Sequence, residues 1–317
     1  MITRPKPAPT FQTLQGFLRT EQASGVILIC CTVFSIAMAN SAFGDTYLKF
    51  WETHVGLRWG RFSLDHSLLH WVNDGLMGIF FLVVGMEIKR ELVKGELSSF
   101  RKAILPVLAA LGGMLAPALF FALFNEGGIY QQGWGIPMAT DIAFALGALA
   151  LLGSRVPLSL KVFLMALAVI DDLGAILVIA VFYNHGVVLQ NLVIALAIFL
   201  FLLILNRLKV SSRIPYLMVG VAMWYFMQAS GIHATIAGVL LAFTIPLQSG
   251  RAGFSPLEDL SVKLQSFTGF IIMPLFALAN TAIIINGDIG TIFSSDLNHG
   301  GNSTERGSSP LLVVSAL

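Results

Sequence analysis

Long apolar runs separated by short polar segments dominate the chain. A membrane-spanning helix needs about 20 consecutive apolar residues at a rise of 1.5 Å per residue. Nine runs meet or approach this length, and they lie at about 23–40, 67–88, 103–124, 135–152, 157–183, 188–206, 214–230, 233–248 and 266–285. The pattern therefore predicts an all-α polytopic membrane protein with about nine transmembrane helices, in which successive helices run antiparallel.

The two ends of the chain differ from this apolar middle. Residues 1–22 precede the first long run and are expected to form a cytoplasmic N-terminal segment. Residues 23–285 contain all the predicted spans and are expected to form one transmembrane domain. Residues 286–317 are polar and rich in Ser, Gly and Asn, so we expect a disordered C-terminal tail there.

Charge is scarce and is placed asymmetrically. Only 11% of the residues are charged and 56% are hydrophobic, and a mean hydropathy of +0.82 is far above that of soluble domains. Basic residues lie before the first predicted span and after the second, fourth, sixth and eighth, which predicts a cytoplasmic N-terminus. They form no single patch, which argues against binding of nucleic acid.

One loop breaks this alternation of charge. The segment between the first two spans carries Lys49, Arg58 and Arg61, and its apolar and polar residues alternate. This alternation of apolar and polar residues predicts a small external β-hairpin at about 54–65. Because a two-stranded hairpin is marginally stable alone in water, we expect it to pair with a second protomer and form a homodimer.

Three aspartates interrupt the apolar runs near the middle of the bilayer. Asp141 lies in the fourth predicted span, and Asp171 and Asp172 lie in the fifth. An ionised aspartate at a helix centre costs about 2.5–3.5 kcal/mol, so these side chains are expected to face a polar cavity or a partner. A structural role, with each carboxylate hydrogen-bonded, is the alternative, and three acids at one depth favour a function.

The residues near these aspartates suit a small, hard cation. Carboxylates, the Thr140 hydroxyl, backbone carbonyls and water offer oxygen ligands and nothing soft for zinc or copper. Asp171 and Asp172 are therefore predicted to bind Na⁺, and no cofactor is expected. A carboxylate that accepts Na⁺ only after losing its proton makes the two ions compete, which is the minimal requirement of an exchanger.

The fourth predicted span contains residues that weaken a helix around Asp141. Gly135 and Pro137 precede the acid and Gly147 follows it. Broken helices direct their termini and free carbonyls toward bound ions in transporters. Close packing of helices by small residues is the alternative explanation. The presence of the acid favours a broken helix.

Two longer motifs surround the three aspartates. Residues 139–147 read ATDIAFALG, and residues 168–176 read AVIDDLGAI. Both closely resemble motifs of a known family, the NhaA-type sodium/proton antiporters. Further similar segments lie at 73–77, 84–92, 230–238 and 274–280. The resemblance therefore covers about residues 20–290.

The resemblance implies exchange of external H⁺ for internal Na⁺ or Li⁺ across a bacterial inner membrane, by a secondary active transporter rather than an enzyme. By position, Asp171 and Asp172 would be the central carriers of both ions. Thr140 and Asp141 would belong to the broken-helix crossing, and Asp74 would face outward. The hairpin would be the contact between protomers of a homodimer.

Charged residues at the cytoplasmic end of the second span are implied in a response to pH. The resemblance places Glu87, Arg90 and Glu91 at a cytoplasmic entrance. Ordinary solvated pairs at a helix end are the alternative explanation. His233 is a further regulatory candidate because an imidazole titrates near pH 6.5, although a hydrogen-bonded structural histidine is more common.

The chain departs from the family pattern toward its C-terminus. The family has twelve spans, and we expect the last three to be absent here, since no lysine follows Lys263 to pair with the central acids. Ser261, Val262 and Gln265 stand where the family usually has a glutamate and histidines, so pH regulation is expected to differ. A transport-deficient truncated fragment and a noncatalytic partner subunit are therefore alternatives. An intramembrane aspartyl protease is a weaker one, because Asp171 follows no Gly-x-Gly turn.

Overall fold

A computed structural model describes most of the chain. It covers residues 11–56, 58–59, 62–124, 129–138, 156–182, 186–247 and 255–284. The expected N-terminal segment is described only from Phe11, and the expected tail at 286–317 lies outside the described residues. The proposed division into three regions therefore stays a prediction.

Helices make up most of the described chain. In chain order they are α1 (Phe11–Ala39), α2 (Gly44–Glu52), α3 (Leu68–Lys94), α4 (Phe100–Phe124), α5 (Leu158–Phe182), α6 (Leu189–Arg207), α7 (Ile214–Ala229), α8 (Thr235–Thr244) and α9 (Pro256–Asn280). Two of them contain a π-helical turn, at Trp71–Leu76 in α3 and at Thr268–Ile272 in α9. A 3₁₀ helix, Ile129–Met138, follows α4.

Several of these helices are long and apolar enough to cross a bilayer. Among the described residues four meet that requirement by length and composition, namely 68–94, 101–124, 189–207 and 256–280. Ala23–Ala39 and Gly44–Glu52, bent by 114° relative to each other, would together supply a fifth. The prediction of a mainly helical membrane protein is confirmed at this level, whereas the count of nine spans is not.

Glycines bring α3 and α8 into close contact. A Cβ atom added to Gly85 would lie 2.8 Å from Ala242 Cβ, and one added to Gly238 would lie 2.2 Å from the carbonyl oxygen of Gly78. Small residues allow two helix backbones to approach closely where lipid gives no hydrophobic drive for association. This contact places α8 against the middle of α3.

The largest buried cluster surrounds this contact. It joins side chains from α3, α6, α7, α8 and the start of α9, and its fully buried members include Met86, Leu202, Tyr216, Met223 and Leu257. Large apolar side chains such as Leu105, Leu119 and Met218 are instead exposed on the outside. An apolar exterior is expected for a protein whose solvent is lipid.

Residues between α2 and α3 form two very short antiparallel ladders, referred to below as the ribbon. Strand β1 (His54–Val55) pairs with β4 (His66–Ser67), and β2 (Arg58–Trp59) pairs with β3 (Phe62–Ser63). The Trp71 indole nitrogen donates to the carbonyl of Val55 at 2.7 Å, which ties the ribbon to α3. The external position of the ribbon and its pairing with a second protomer stay predictions.

Polar side chains link helices that are distant in sequence. Asn73 in α3 and Asn280 in α9 exchange side-chain amide hydrogen bonds of 3.1 and 2.7 Å. Ser35 in α1 and Tyr47 in α2 both donate to the carbonyl of Leu278, at 2.8 and 2.7 Å. Such bonds satisfy polar groups that would otherwise be costly in a low-dielectric interior.

Candidate functional site

The adjacent aspartates lie on α5, which packs inside the protein. Asp171 is 4% exposed and Asp172 is half-buried. Neighbouring residues on α5, Val169 and Ile176, belong to a buried cluster with Val84, Ile88 and Val239 of α3 and α8. Of the charged residues whose side chains are described, Asp171 is the one in the buried class. The structure therefore places the predicted ion carrier among packed helices.

The chain that leads to Thr140 and Asp141 comes close to the same part of α5. Met138, the last described residue of that segment, is buried in a cluster that also includes Ile170, directly before Asp171. Thr140 and Asp141 themselves lie outside the described residues. Their part in the site, and the broken helix around Asp141, stay predictions.

The segment before Thr140 has an unusual conformation. Ile129–Met138 is a 3₁₀ helix of ten residues, with Pro137 inside it. Runs of 3₁₀ helix longer than three or four residues are uncommon, and they often mark a hinge or a sequence under strain. This irregular backbone favours the prediction that the fourth span is interrupted near its acid.

The carboxylates offer a site for a hard cation rather than for a transition metal. Asp171 and Asp172 are adjacent on one helix, so their side chains point about 100° apart. No group of three His, Cys, Asp or Glu side chains able to hold a metal ion occurs among the residues that the structure describes. A Na⁺ ion at Asp171 would need oxygen ligands from other segments.

The residues assigned to a cytoplasmic entrance lie together at the end of α3. Arg90 Nη2 is 3.5 Å from Glu87 Oε1 and 3.6 Å from Glu91 Oε1. These separations are long for ion pairs, and exposed pairs of this kind contribute little to stability. The structure thus groups the three residues at one end of α3, and their role in an entrance and in the response to pH stays a prediction.

Sequence reasoning missed the charged residues at the start of α9, one of which pairs with α3. Lys94 Nζ lies 2.9 Å from Glu258 Oε1, and Asp259 is paired with both Arg213 and Lys263. The N-cap of α9, where the Ser255 hydroxyl accepts from the Glu258 amide, was a readable signal of a helix start. The partners across the fold were not readable, because they come from helices far away in sequence.

Lys89 does not belong to the solvated charge group beside it. Its ammonium donates to the carbonyls of Phe243 and Ile245 at 2.7 and 2.5 Å, and the Asn206 amide donates to the carbonyl of Thr244 at 2.6 Å. The C-terminal carbonyls of a helix lack partners within that helix. Side chains of α3 and α6 therefore complete the hydrogen bonding at the end of α8.

Asp74 lies at the opposite end of α3, in the π-helical turn. Its carboxylate oxygen is 3.2 Å from His70 Nε2, and its backbone carbonyl accepts a hydrogen bond of 2.9 Å from the Trp224 indole. At 1.5 Å per residue, Asp74 and Glu87 are about 20 Å apart along the helix. The predicted external and cytoplasmic residues therefore form two separate groups.

His233 belongs to the Asp74 end of the molecule. It is half-buried in the turn between α7 and α8, and its carbonyl accepts from the Ile236 amide at 3.1 Å. Gly231 in the same turn has a φ of +83°, a conformation that glycine adopts without strain. A regulatory role for His233 stays a prediction.

Two histidines and a glutamine near Asp74 were also missed by sequence reasoning. The rings of His66 and His70 are stacked, with centroids 4.2 Å apart, and Gln228 Nε2 contacts the Nε2 atoms of both. Burial, followed by the neighbouring His70, lowers the pKa of His66. No sequence signal joins these residues, because Gln228 is 158 positions from His70.

Comparison with known proteins identifies the family of the chain. The family model for "Na+/H+ antiporter 1" matches residues 15–300. A "Na(+)/H(+) antiporter NhaA" of Cytophaga hutchinsonii is 53% identical over 281 residues, which cover 87% of this chain and 69% of that protein.

Other similar proteins carry the same name. Those of Flavobacterium psychrophilum and Dechloromonas aromatica are each 54% identical, over 86% and 87% of this chain. The matched regions span 69% and 70% of their lengths, so these relatives are longer than the part that aligns. A family match over most of the chain, together with identities above half, shows that the protein belongs to the Na⁺/H⁺ antiporter 1 family.

Proposed function

We propose that this protein exports Na⁺, or Li⁺, from the bacterial cytoplasm across the inner membrane in exchange for external H⁺. The observation that carries the proposal is the burial of Asp171, at 4% exposure, beside Asp172 on an apolar helix of 25 residues. The antiporter names of the relatives support the same reading, and they do not favour a transport-deficient fragment, a partner subunit or a protease.

Exchange follows from competition for the same carboxylates. A buried carboxylate can be neutralised either by a proton or by a cation, and leaving it unpaired is costly. Na⁺ arriving from the cytoplasm displaces protons from Asp171 and Asp172, and H⁺ arriving from outside displaces Na⁺. This competition couples the movements of the two ions, as secondary active transport requires. It needs no cofactor.

Neighbouring segments would complete the ion site. Thr140 and Asp141 follow Met138 in the chain, and Met138 shares a buried cluster with Ile170. Their oxygen atoms are proposed as further ligands, because Na⁺ in a protein needs several hard donors. A bound ion would then bridge α5 and the segment that follows the 3₁₀ helix.

Residues at the two ends of α3 are proposed to regulate exchange. Glu87, Arg90 and Glu91 form the cytoplasmic group, and Asp74, with His233 at the same end of the molecule, forms the external one. A cytoplasmic N-terminus, which the distribution of basic residues predicts, would assign these sides. A homodimer through the ribbon is proposed as the assembled form.

The test is sodium-driven exchange in everted membrane vesicles from cells that lack other antiporters, followed with a dye that reports ΔpH. The chain is compared with Asp171→Asn and Asp172→Asn, which keep the size of each side chain and remove its charge. We expect the sodium-dependent signal to fall by at least about tenfold in both variants, since the removed charge is the ion ligand.

Asp45→Asn is the matched control, because Asp45 is an exposed aspartate in the first turn of α2. It should leave the signal unchanged at equal expression. A wild-type chain that is well expressed and gives no sodium-dependent signal, or one whose signal survives both substitutions on α5, would overturn the proposal.

A further inference from the structure

Two histidine rings at the Asp74 end of α3 bring their Nε2 atoms to one place. His66 lies in strand β4 of the ribbon, and His70 lies in the first turn of α3. Gln228 Nε2, in the last turn of α7, is 3.3 Å from His66 Nε2 and also contacts His70 Nε2. An amide nitrogen can only donate, so both ring nitrogens present a lone pair to it. The two lone pairs therefore converge on the place that the amide nitrogen occupies.

The spacing of the two rings is one that metal sites on helices use. His66 and His70 are four positions apart in the chain. Two histidines four positions apart on one face of a helix are a known arrangement for binding Zn²⁺. His66 precedes α3, but its ring stacks on that of His70, with centroids 4.2 Å apart and planes inclined by 23°. The pair can therefore offer two imidazole nitrogens to one ion.

Carboxylates beside the rings favour a cation in this place. Asp74 Oδ2 lies 3.2 Å from His70 Nε2, and Asp65 Oδ1 lies 3.4 Å from His54 Nδ1 in the ribbon. The charges of both aspartates favour a positive charge on His66. A divalent ion held between the rings would be stabilised by the same field.

Solvent reaches the histidine pair. The side chain of His70 is 35% exposed and that of Asp74 is 20% exposed. An ion can therefore enter without separating the helices, and water can complete its coordination. A metal site in a protein needs such an entry path.

The ligand atoms select the class of metal. Imidazole suits Zn²⁺, Cu²⁺ and Ni²⁺, whereas Mg²⁺ and Ca²⁺ prefer oxygen ligands. The part of the chain that the structure describes contains no group of three His, Cys, Asp or Glu side chains that could hold a metal. The site would therefore have two protein nitrogens and water at its other positions. Such a site is open and exchangeable, unlike the closed four-ligand sites that hold structural zinc.

We propose that His66 and His70 bind a divalent transition-metal ion of the zinc and copper class. The ion takes the place of the Gln228 amide nitrogen between the two ring nitrogens, and the amide turns aside. Because His66 belongs to the ribbon and His70 to α3, the bound ion links these two elements directly. The site uses neither carboxylate of α5 and does not rest on the proposed transport function.

Quenching of tryptophan fluorescence by Cu²⁺ tests the site in the purified full chain. Trp71 packs edge-on against His66 with ring centroids 6.3 Å apart, and it stacks on Trp224 at 6.1 Å. In a buffer that does not bind metals, at about pH 7.5, we expect saturable quenching because a bound Cu²⁺ ion lies close to both indoles. A chelator should reverse the quenching, and an excess of Zn²⁺ should prevent it, since Cu²⁺ binds nitrogen sites more tightly. Absence of saturable quenching below about 1 mM Cu²⁺ would overturn the proposal.

Substitution of either ring tests which residues hold the ion. His66→Asn and His70→Gln each remove one of the two ligands, so the affinity for Cu²⁺ should fall by at least about tenfold, as much as the loss of an outer-shell partner costs at other metal sites. His54→Asn is the matched control, because His54 is an exposed histidine of the same ribbon that does not share the Gln228 contact. It should leave the affinity unchanged. Wild-type affinity in both His66→Asn and His70→Gln would overturn the site.

Gln228→Glu gives an opposite test that does not depend on removing a histidine. A carboxylate at this position supplies a third ligand at the place where the two ring nitrogens converge, so Cu²⁺ should bind at least about tenfold more tightly. Unchanged or weaker binding by this variant would contradict the placement of the ion between the rings.

Thermal unfolding with Zn²⁺ tests the link between the ribbon and α3. An ion that binds the folded chain more tightly than the unfolded chain raises the Tm. We expect added Zn²⁺ to raise the Tm of the wild type and of His54→Asn, and to leave that of His70→Gln unchanged. An equal rise in His70→Gln would show that Zn²⁺ binds elsewhere and would overturn the proposal. Sodium exchange enters none of these measurements, so failure of the antiporter function and failure of the metal site are separate results.

Discussion

At the scale of single residues, the buried Asp171 and the partly buried His66 and His70 differ in how well the sequence reveals them. Asp171 could be picked out from the sequence because a charge inside an apolar run is conspicuous. His66 and His70 could not, since each lies in a polar segment where a histidine is unremarkable until its spatial neighbours are known. The hydropathy pattern therefore reveals the proposed transport site and gives no sign of the histidine cluster near Asp74.

The lowered pKa of His66 predicts how stability depends on pH. Burial and the neighbouring His70 favour the neutral ring in the folded state, whereas in the unfolded chain the ring titrates near pH 6.5. The contribution of His66 to stability is therefore present above about pH 6.5 and is lost as the pH falls through the lowered pKa. We expect the chain in detergent to have a lower Tm at pH 5.5 than at pH 7.5.

His66→Asn checks that this loss belongs to one ring. The variant should be less stable than the wild type at pH 7.5, and its Tm should change less between the two pH values. An equal drop in Tm for both proteins would show that other groups are responsible for the pH dependence.

At the scale of helices, hydropathy located most segments well and failed where polar residues begin or end a helix. The runs predicted at 157–183, 188–206 and 214–230 match α5, α6 and α7 to within one residue at each end. α9 begins ten residues before the predicted run, because its first turns are charged and amphipathic. α8 ends at Thr244 because Pro246 follows Ile245 and disfavours helical backbone there.

Because α3 and α8 pack closely, one methyl group added at their contact is expected to lower the stability of the protein strongly. A Cβ on Gly238 would meet the Gly78 carbonyl oxygen at 2.2 Å, so Gly238→Ala must separate the two backbones. We expect a destabilisation of about 1–3 kcal/mol from overpacking, measured as a fall in Tm or in resistance to denaturant.

Gly112→Ala and Gly113→Ala in α4 are the matched controls. A Cβ at either position would have no atom within 4 Å, so only helix propensity changes. That change favours alanine by up to about 1 kcal/mol. If Gly238→Ala proved as stable as these two variants, the result would contradict the close contact of α3 and α8.

At the scale of the whole molecule, α8 depends on side chains from two other helices. Lys89 of α3 and Asn206 of α6 donate to the last three carbonyls around its C-terminus. The sequence alone does not distinguish Lys89 from the charged residues Glu87 and Arg90 beside it. Only the packing of α3 on α8 shows that the Lys89 ammonium donates to carbonyls at the end of α8.

Lys89→Met keeps the aliphatic part of the side chain and removes the ammonium that donates both hydrogen bonds. We expect a loss of about 2–4 kcal/mol in stability, because two carbonyls in a poorly hydrated region lose a charged donor. Lys89→Gln, which can donate to at least one of them, should lose less. Equal stability of the wild type and Lys89→Met in a denaturation series would show that water reaches these carbonyls.

The length of α8 has a consequence for how the protein is made. Ten residues reach only about 15 Å, half of the hydrocarbon thickness, so α8 cannot enter the bilayer as an independent span. Both helices that supply its C-terminal donors, α3 and α6, precede it in the chain and so leave the ribosome first. Helices α3 and α6 are therefore already synthesised when α8 emerges, and we expect α8 to insert by packing against them, as a step of folding.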